Sequence, residues 1–92
     1  MLKLIKMVNK YILDEIIKLP SNDSTPMLKT FHILSKCAHI DMVLDDNYDA
    51  MYRVKLEDIL SSDLTNEELM LIHNGGWTYS KDNEYLVKIL KK

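Results

Sequence analysis

The chain contains two glycines, Gly75 and Gly76, which stand side by side just before a stretch where large apolar and polar residues alternate. The large residues of this stretch are Trp77, Tyr79, Tyr85, Val87 and Ile89. Residues at alternate positions of a strand share one face, so each half of the stretch reads as a short strand. The polar segment between the halves predicts an antiparallel hairpin over residues 77–90.

The register of this hairpin follows if all its large residues share one face. Trp77 then pairs with Val87 and Tyr79 with Tyr85, which leaves a three-residue loop ending at Asn83. Loops of this length favour a left-handed residue at the end, a conformation that Asn tolerates. The loop residues and the pairing of the large residues therefore both predict a hairpin.

A helix is predicted immediately before the glycines. The sequence TNEE places Thr65 three residues ahead of Glu68, which is the spacing of a capping box. The helix then runs through about His73, and Asn74 with Gly75 ends it, Gly75 being suited to the left-handed conformation.

The N-terminal residues 2–19 have the periodicity of an amphipathic helix. Its apolar stripe consists of Ile5, Val8, Ile12, Ile16 and Leu19. A face this wide covers a core, a second subunit, or both. We take the second subunit as a hypothesis and place a homodimer interface at Ile5, Val8, Ile12 and Ile16.

Residues 20–26, PSNDSTP, form a polar linker bounded by two prolines. Thr25 is suited to cap a following helix with Pro26 at its first position, and the apolar spacing beyond it predicts a helix over residues 26–44. Residues 49–61 allow two interpretations. One is a strand at 51–55 followed by a helix at 56–61, and the other is a continuous helix from 49 to 61.

These elements predict a single domain over residues 1–92, of α+β class and mainly helical. It has three to four helices and a small C-terminal antiparallel hairpin, with the helices and hairpin in residues 27–90. The order of elements in residues 26–90 resembles that of winged helix-turn-helix domains. The resemblance implies that residues 65–73 are a recognition helix and that residues 1–19 are an added helix for dimer contact.

Charge is distributed unevenly along the chain. Residues 1–36 carry six lysines against three acids, a net +3; residues 37–76 carry nine acids against two basic residues, a net −7; residues 77–92 carry four lysines against two acids, a net +2. An acidic centre repels a phosphate backbone. Eleven of the twelve basic residues are lysines, whereas guanine and phosphate recognition favours arginine. Both features disfavour nucleic acid as a partner.

The acidic centre is the candidate partner-binding surface. Tyrosines accompany it, and tyrosine is enriched at the residues that dominate binding energy in interfaces. The candidate residues are Asp41, Asp45, Asp46, Tyr48, Asp49, Tyr52, Glu67 and Glu68. An ordinary solvated acidic face is the competing interpretation.

Sites for metals and catalysis are not indicated. DDNYD resembles the start of a calcium loop, but Ala50 stands where the loop needs Gly, and Leu56 stands where it needs Glu. His32, His39, His73 and Cys37 have no zinc-ligand spacing, and no nucleophile has an organised partner. We therefore expect no metal, no cofactor and no enzyme activity.

The expected function is that of a small non-enzymatic protein-binding or regulatory protein, such as a phage or mobile-element accessory or inhibitor protein. The alternative is a winged-helix DNA-binding transcriptional regulator. The single cysteine, Cys37, suits a reducing compartment, and no apolar run approaches the roughly 18 residues of a membrane span. We therefore expect a cytoplasmic location, and no membrane partner.

Overall fold

The computed structural model describes residues 8–45 and 48–90. Within them the chain forms four helices and four strands. In chain order these are α1 (Lys10–Lys18), α2 (Met27–Ser35), β1 (Asp41–Asp45), β2 (Tyr48–Lys55), α3 (Leu56–Leu60), α4 (Asn66–His73), β3 (Thr78–Tyr79) and β4 (Tyr85–Leu90).

The strands form one antiparallel sheet in the order β1-β2-β4-β3. β1 and β3 are therefore the two edges of the described sheet, while β2 and β4 lie in the middle. The prediction of a mainly helical chain with only a C-terminal hairpin is wrong, because a second hairpin, β1–β2, extends the sheet.

The prediction of a helix over 26–44 is wrong beyond Ser35, where α2 ends. The chain turns through Lys36 and enters β1, in which Asp41 lies opposite Arg53 and Met42 opposite Tyr52. The apolar residues of this stretch can form one face of a helix or one face of a strand. The strand forms because β2 supplies a partner along the chain, and cross-strand packing overrides local propensity.

Of the two interpretations of residues 49–61, strand followed by helix is confirmed and the continuous helix is wrong. β2 is longer than predicted, since it begins at Tyr48, and α3 follows it directly. The Leu56 N–H donates to Glu84 O at 2.9 Å, which joins the start of α3 to the start of β4.

The helix before the glycines is confirmed with its capping box. Glu68 N–H donates to Thr65 Oγ1 at 3.1 Å, and Thr65 N–H donates to a Glu68 carboxylate oxygen at 3.0 Å. The left-handed residue is Gly76, with φ +91°, rather than Gly75. Gly75 meets a different constraint, because a Cβ there would collide with Thr30 Cγ2.

The C-terminal hairpin is confirmed, but its register differs from the prediction by one residue. Thr78 lies opposite Val87 and Tyr79 opposite Leu86. Ser80 closes the loop, because its N–H donates to Tyr85 O at 2.9 Å and its Oγ accepts from Tyr85 N at 3.2 Å. Tyr79 therefore shares a face with Leu86, whereas Val87 lies on the opposite face with Thr78.

Two other predictions about the helices are also wrong. The predicted helix over residues 2–19 is not continuous, because residues 8–9 are not helical and Asn9 caps α1 at Lys10, accepting from Tyr11 N at 2.9 Å. Residues 1–7 of the predicted helix lie outside the described residues. α2 is capped at Pro26 without a side-chain hydrogen bond, so Thr25 is not its cap.

The core lies between the helices and one face of the sheet. Its fully buried side chains include Leu13, Leu34, Val54, Ile59, Leu69, Ile72, Trp77 and Leu86. Trp77 Nε1–H donates to Thr30 Oγ1 at 3.0 Å, which satisfies its buried polar group. The Phe31 ring packs edge-on against both Trp77 and Tyr52, at centroid distances of 5.9 and 4.8 Å.

Candidate functional site

The β1–β2 hairpin carries three of the six acidic residues predicted as a binding surface. Asp41 and Asp45 are the first and last residues of β1, and Tyr48 and Asp49 begin β2. Asp46, also predicted, lies outside the described residues. Strand pairing therefore gathers these positions on one hairpin at the edge of the sheet.

The same hairpin presents apolar side chains to solvent. Met42 is 57% exposed and Leu44 is 72% exposed. The ladder between β1 and β2 is regular from Asp41 to Val43 and becomes irregular before Asp45. At the start of the strand, His39 Nε2 lies 3.0 Å from an Asp41 carboxylate oxygen.

Tyr52 is placed differently from the rest of the predicted surface. It lies in the middle of β2, is only partly exposed, and packs against Phe31 of α2. Its ring therefore contributes to the attachment of α2 to the sheet, and little of it is open to a partner.

Glu67 and Glu68 lie on α4, in a different element from the hairpin. Glu68 uses its carboxylate in the capping box. Burial raises the pKa of the Cys37 thiol, and the negative charges of Asp58, Asp63 and Glu68 raise it further, while a hydrogen bond with Ser62 opposes them. These three acids lie in α3, in the segment after it and in α4, and only the fold lets their charges act together on the Cys37 thiol.

The apolar stripe of the N-terminal helix covers the chain's own core. Val8 and Ile16 are each 7% exposed, and Ile12 is partly buried. Val8 N–H also donates to Ser62 O at 3.1 Å, which fixes the start of α1 beside the end of α3. Ile5, the fourth residue of the predicted dimer interface, lies outside the described residues.

At the opposite edge of the sheet, α1 is tied to β3. Tyr79 O–H donates to an Asp14 carboxylate oxygen at 2.5 Å, and Lys10 Nζ lies 2.6 Å from the same oxygen. The hydrogen bond from Lys10, and then that from Tyr79, lower the pKa of Asp14. Burial and the bond to Asp14 raise the pKa of Tyr79.

The sheet face that carries Met51 and Arg53 is turned away from α1 and α2, which contact Tyr79 and Tyr52 on the other face. Cross-strand pairing sets Val43, Met51 and Ile89 in one row on this face. The Arg53 guanidinium lies 4.6 Å from the centroid of the Tyr85 ring. An open groove of about 440 Å³ passes over Met51, Arg53, Tyr85 and Ile89.

The histidines are not brought together as a catalytic or metal-binding group. His73 is buried, and its Nε2–H donates to Leu19 O at 2.6 Å, whereas His39 is exposed beside Asp41. Among residues 8–45 and 48–90 no group of three or more His, Cys, Asp or Glu side chains is placed to hold a metal ion. No helix in the same part of the chain is long and apolar enough to cross a membrane.

No protein-family model, curated protein or solved structure matches this chain.

Proposed function

We propose that this chain is a non-enzymatic accessory or inhibitor protein that binds another protein through its β1–β2 hairpin. The observation that carries the proposal is the composition of β1. It is an edge strand that begins and ends with an aspartate and exposes Met42 and Leu44 between them.

Each part of this surface has a separate physical role in binding. The aspartates attract a basic protein surface and raise the association rate, since electrostatic steering acts mainly on encounter. Met42 and Leu44 supply apolar area, which stabilises the complex once it has formed. Methionine also adapts its shape to different partner surfaces.

Charge reversal on the hairpin tests this proposal. The variant carries Asp45→Lys, Asp46→Lys and Asp49→Lys, and a control carries Glu15→Lys, Asp63→Lys and Glu84→Lys at exposed positions away from the hairpin. Proteins captured from the native host by the original chain are identified by mass spectrometry. We expect the hairpin variant to lose them and the control to retain them, with thermal unfolding of the hairpin variant nearly unchanged. If both variants lose the captured proteins, or if neither does, the proposal is contradicted.

The alternative function is that of a winged-helix DNA-binding regulator, in which α4 would read the major groove. α4 has the sequence NEELMLIH, with no lysine or arginine and with Glu67 and Glu68 in its first turn. Reading a groove requires donors to base edges and cations for phosphates. The charge of α4 therefore favours a protein partner.

A gel-shift titration separates the two functions. The chain is titrated into random-sequence duplex DNA at low salt, where nonspecific electrostatic binding is strongest. We expect no shift. Binding that weakens steeply as salt is added would support the DNA-binding alternative and overturn the protein-binding proposal.

A further inference from the structure

The hydrogen-bonding directions in the sheet show which backbone groups of β1 face outward. Leu56 N–H donates to Glu84 O, and this pair continues the register in which Lys55 lies opposite Tyr85. Opposed residues alternate between hydrogen-bonded and non-bonded pairs along an antiparallel ladder. Even-numbered residues of β2 therefore bond to β4, and odd-numbered residues bond to β1.

The same alternation continues across β1. Asp41 and Val43 lie opposite the odd-numbered residues Arg53 and Met51, so their backbone groups bond to β2. The N–H and C=O of Met42 consequently point away from the sheet, and no strand of residues 8–45 and 48–90 lies on that side. An edge with outward donors and acceptors is a template for a further strand.

We propose that β1 binds an extended segment of a partner protein as a fifth strand of the sheet. This inference rests on the proposed function and adds to it the mode of binding and the chemistry of the partner. Asp41 and Asp45 are four residues apart on β1. The matching segment has two lysines or arginines at the same spacing, with an apolar residue between them, because opposite charges on adjacent strands are favourable.

A second copy of β1 does not have this chemistry. The antiparallel register that overlaps all five residues of β1 with a second β1 centres on Val43. It sets Met42 opposite Leu44 and Asp41 opposite Asp45. Like charges directly opposite each other destabilise a strand pair. The edge thus disfavours self-association and favours a basic partner.

The probe for this inference is a synthetic peptide of about seven residues, within the usual length of a strand, in which two lysines four positions apart flank a central valine. Binding is measured by isothermal titration calorimetry and by chemical-shift changes at residues 40–44. Two control peptides replace the lysines with glutamates or N-methylate the backbone amides that would face β1. We expect only the unmodified peptide to bind, with shifts concentrated on β1.

Met42→Pro is the matched test on the protein side. Of the hydrogen-bonding groups, proline at this position removes only an outward N–H, and it requires the extended conformation that Asp41 already has in β1. Both this variant and its control lose the methionine side chain. Met42→Val retains the N–H and is the control. We expect Met42→Pro to weaken peptide binding by roughly tenfold, the effect of losing about one hydrogen bond, and Met42→Val to bind normally. If the proline variant is unfolded, the N-methylated peptide on the original chain decides the question.

Two outcomes would overturn the fifth-strand mode. These are equal binding by the N-methylated peptide and undiminished binding by a folded Met42→Pro chain. A peptide of residues 1–7 that binds equally well, or a sedimentation dimer that Met42→Pro dissociates, would overturn a partner protein as the occupant of the edge. In each case partner capture by the hairpin is judged separately. If the charge-reversal variant still loses its partner, the proposed function stands and only the fifth-strand mode fails. If that variant keeps its partner, both fail.

Discussion

The two edges of the sheet differ in length and in what contacts them. β3 has two residues, and Tyr79 in it is held by Asp14 and Lys10 of α1. β1 has five residues and exposes Met42 and Leu44. One edge is thus short and tied to a helix, while the other is longer and open, with aspartates at its ends.

The β3 edge is packed against the rest of the fold, whereas the β1 edge leaves side chains and backbone groups exposed to solvent. The β3 edge follows Trp77, which is buried and bonded to Thr30. Natural sheets keep open edges from aggregating with short strands, charges and bulges. β1 has aspartates at both ends and an irregularity before Asp45, and these limit nonspecific pairing of its exposed apolar residues while the outward backbone groups of Met42 stay accessible.

The largest expected effect lies beside the closed edge. Trp77→Ala removes a fully buried ring and the hydrogen bond to Thr30, and it leaves Phe31 without one of its two aromatic neighbours. We expect a loss of about 3–5 kcal/mol in the free energy of unfolding, measured by urea denaturation. For a chain near the lower end of ordinary stability, about 5 kcal/mol, this removes most of the free energy of unfolding.

The matched control for Trp77→Ala at the open edge is Met42→Ala. Met42 is more than half exposed, so we expect its truncation to cost less than about 1 kcal/mol. Comparable losses in the two variants would show that β1 is as deeply integrated as the segment before β3, and the contrast between the edges would fail.

An intermediate and pH-dependent effect is expected from Tyr79→Phe. The variant keeps the ring but removes the hydrogen bond to Asp14. Because the pKa of Asp14 is lowered from 3.8, the bond stabilises the fold above that pH and loses its effect as the pH falls through the lowered pKa. Because the pKa of Tyr79 is raised from 10.0, the contribution is present below that pH and is lost as the pH rises through the raised pKa.

Thermal unfolding across this pH range measures the effect. We expect the melting temperature of Tyr79→Phe to lie a few degrees below that of the original chain near neutral pH, and the two to converge in strong acid. The control is Tyr85→Phe, at the other side of the hairpin loop. We expect the difference in melting temperature between this variant and the original chain not to vary with pH in this way. A constant difference for Tyr79→Phe down to strong acid would show that the bond to Asp14 does not stabilise the closed edge.

The contrast between the edges also shows which parts of the fold local sequence can predict. The capping box of α4 and the left-handed Asn83, with φ +60°, were predicted because each depends on a few adjacent residues. β1 was missed because residues 36–44 fit a helical stripe as well as a strand, and their partner in β2 is not visible to a local window. The predicted register of the C-terminal hairpin was wrong by one residue, because hydrogen bonds of the Ser80 hydroxyl set the conformation of its loop.

For the candidate surface, too, local sequence predicts some features, and long-range strand pairing determines the others. The acidic character of Asp41, Asp45 and Asp49 was read directly from the sequence, but their gathering on one hairpin requires the β1–β2 pairing. The proximity of Asp58, Asp63 and Glu68 to Cys37 depends on the packing of different elements. Composition could therefore predict the sign of the surface, and only the long-range pairing could show that an edge strand carries it.

The smallest expected effect on stability is that of Leu44→Lys on the open edge. Leu44 is 72% exposed, and substitutions at such positions usually change the free energy of unfolding by no more than about 0.5 kcal/mol. Thr78→Lys at the exposed position of β3 is the control. We expect urea denaturation to show both variants within this limit, because neither side chain is packed. A loss for Leu44→Lys that clearly exceeds that of Thr78→Lys would mean that β1 is covered, and an edge that is covered cannot receive a fifth strand.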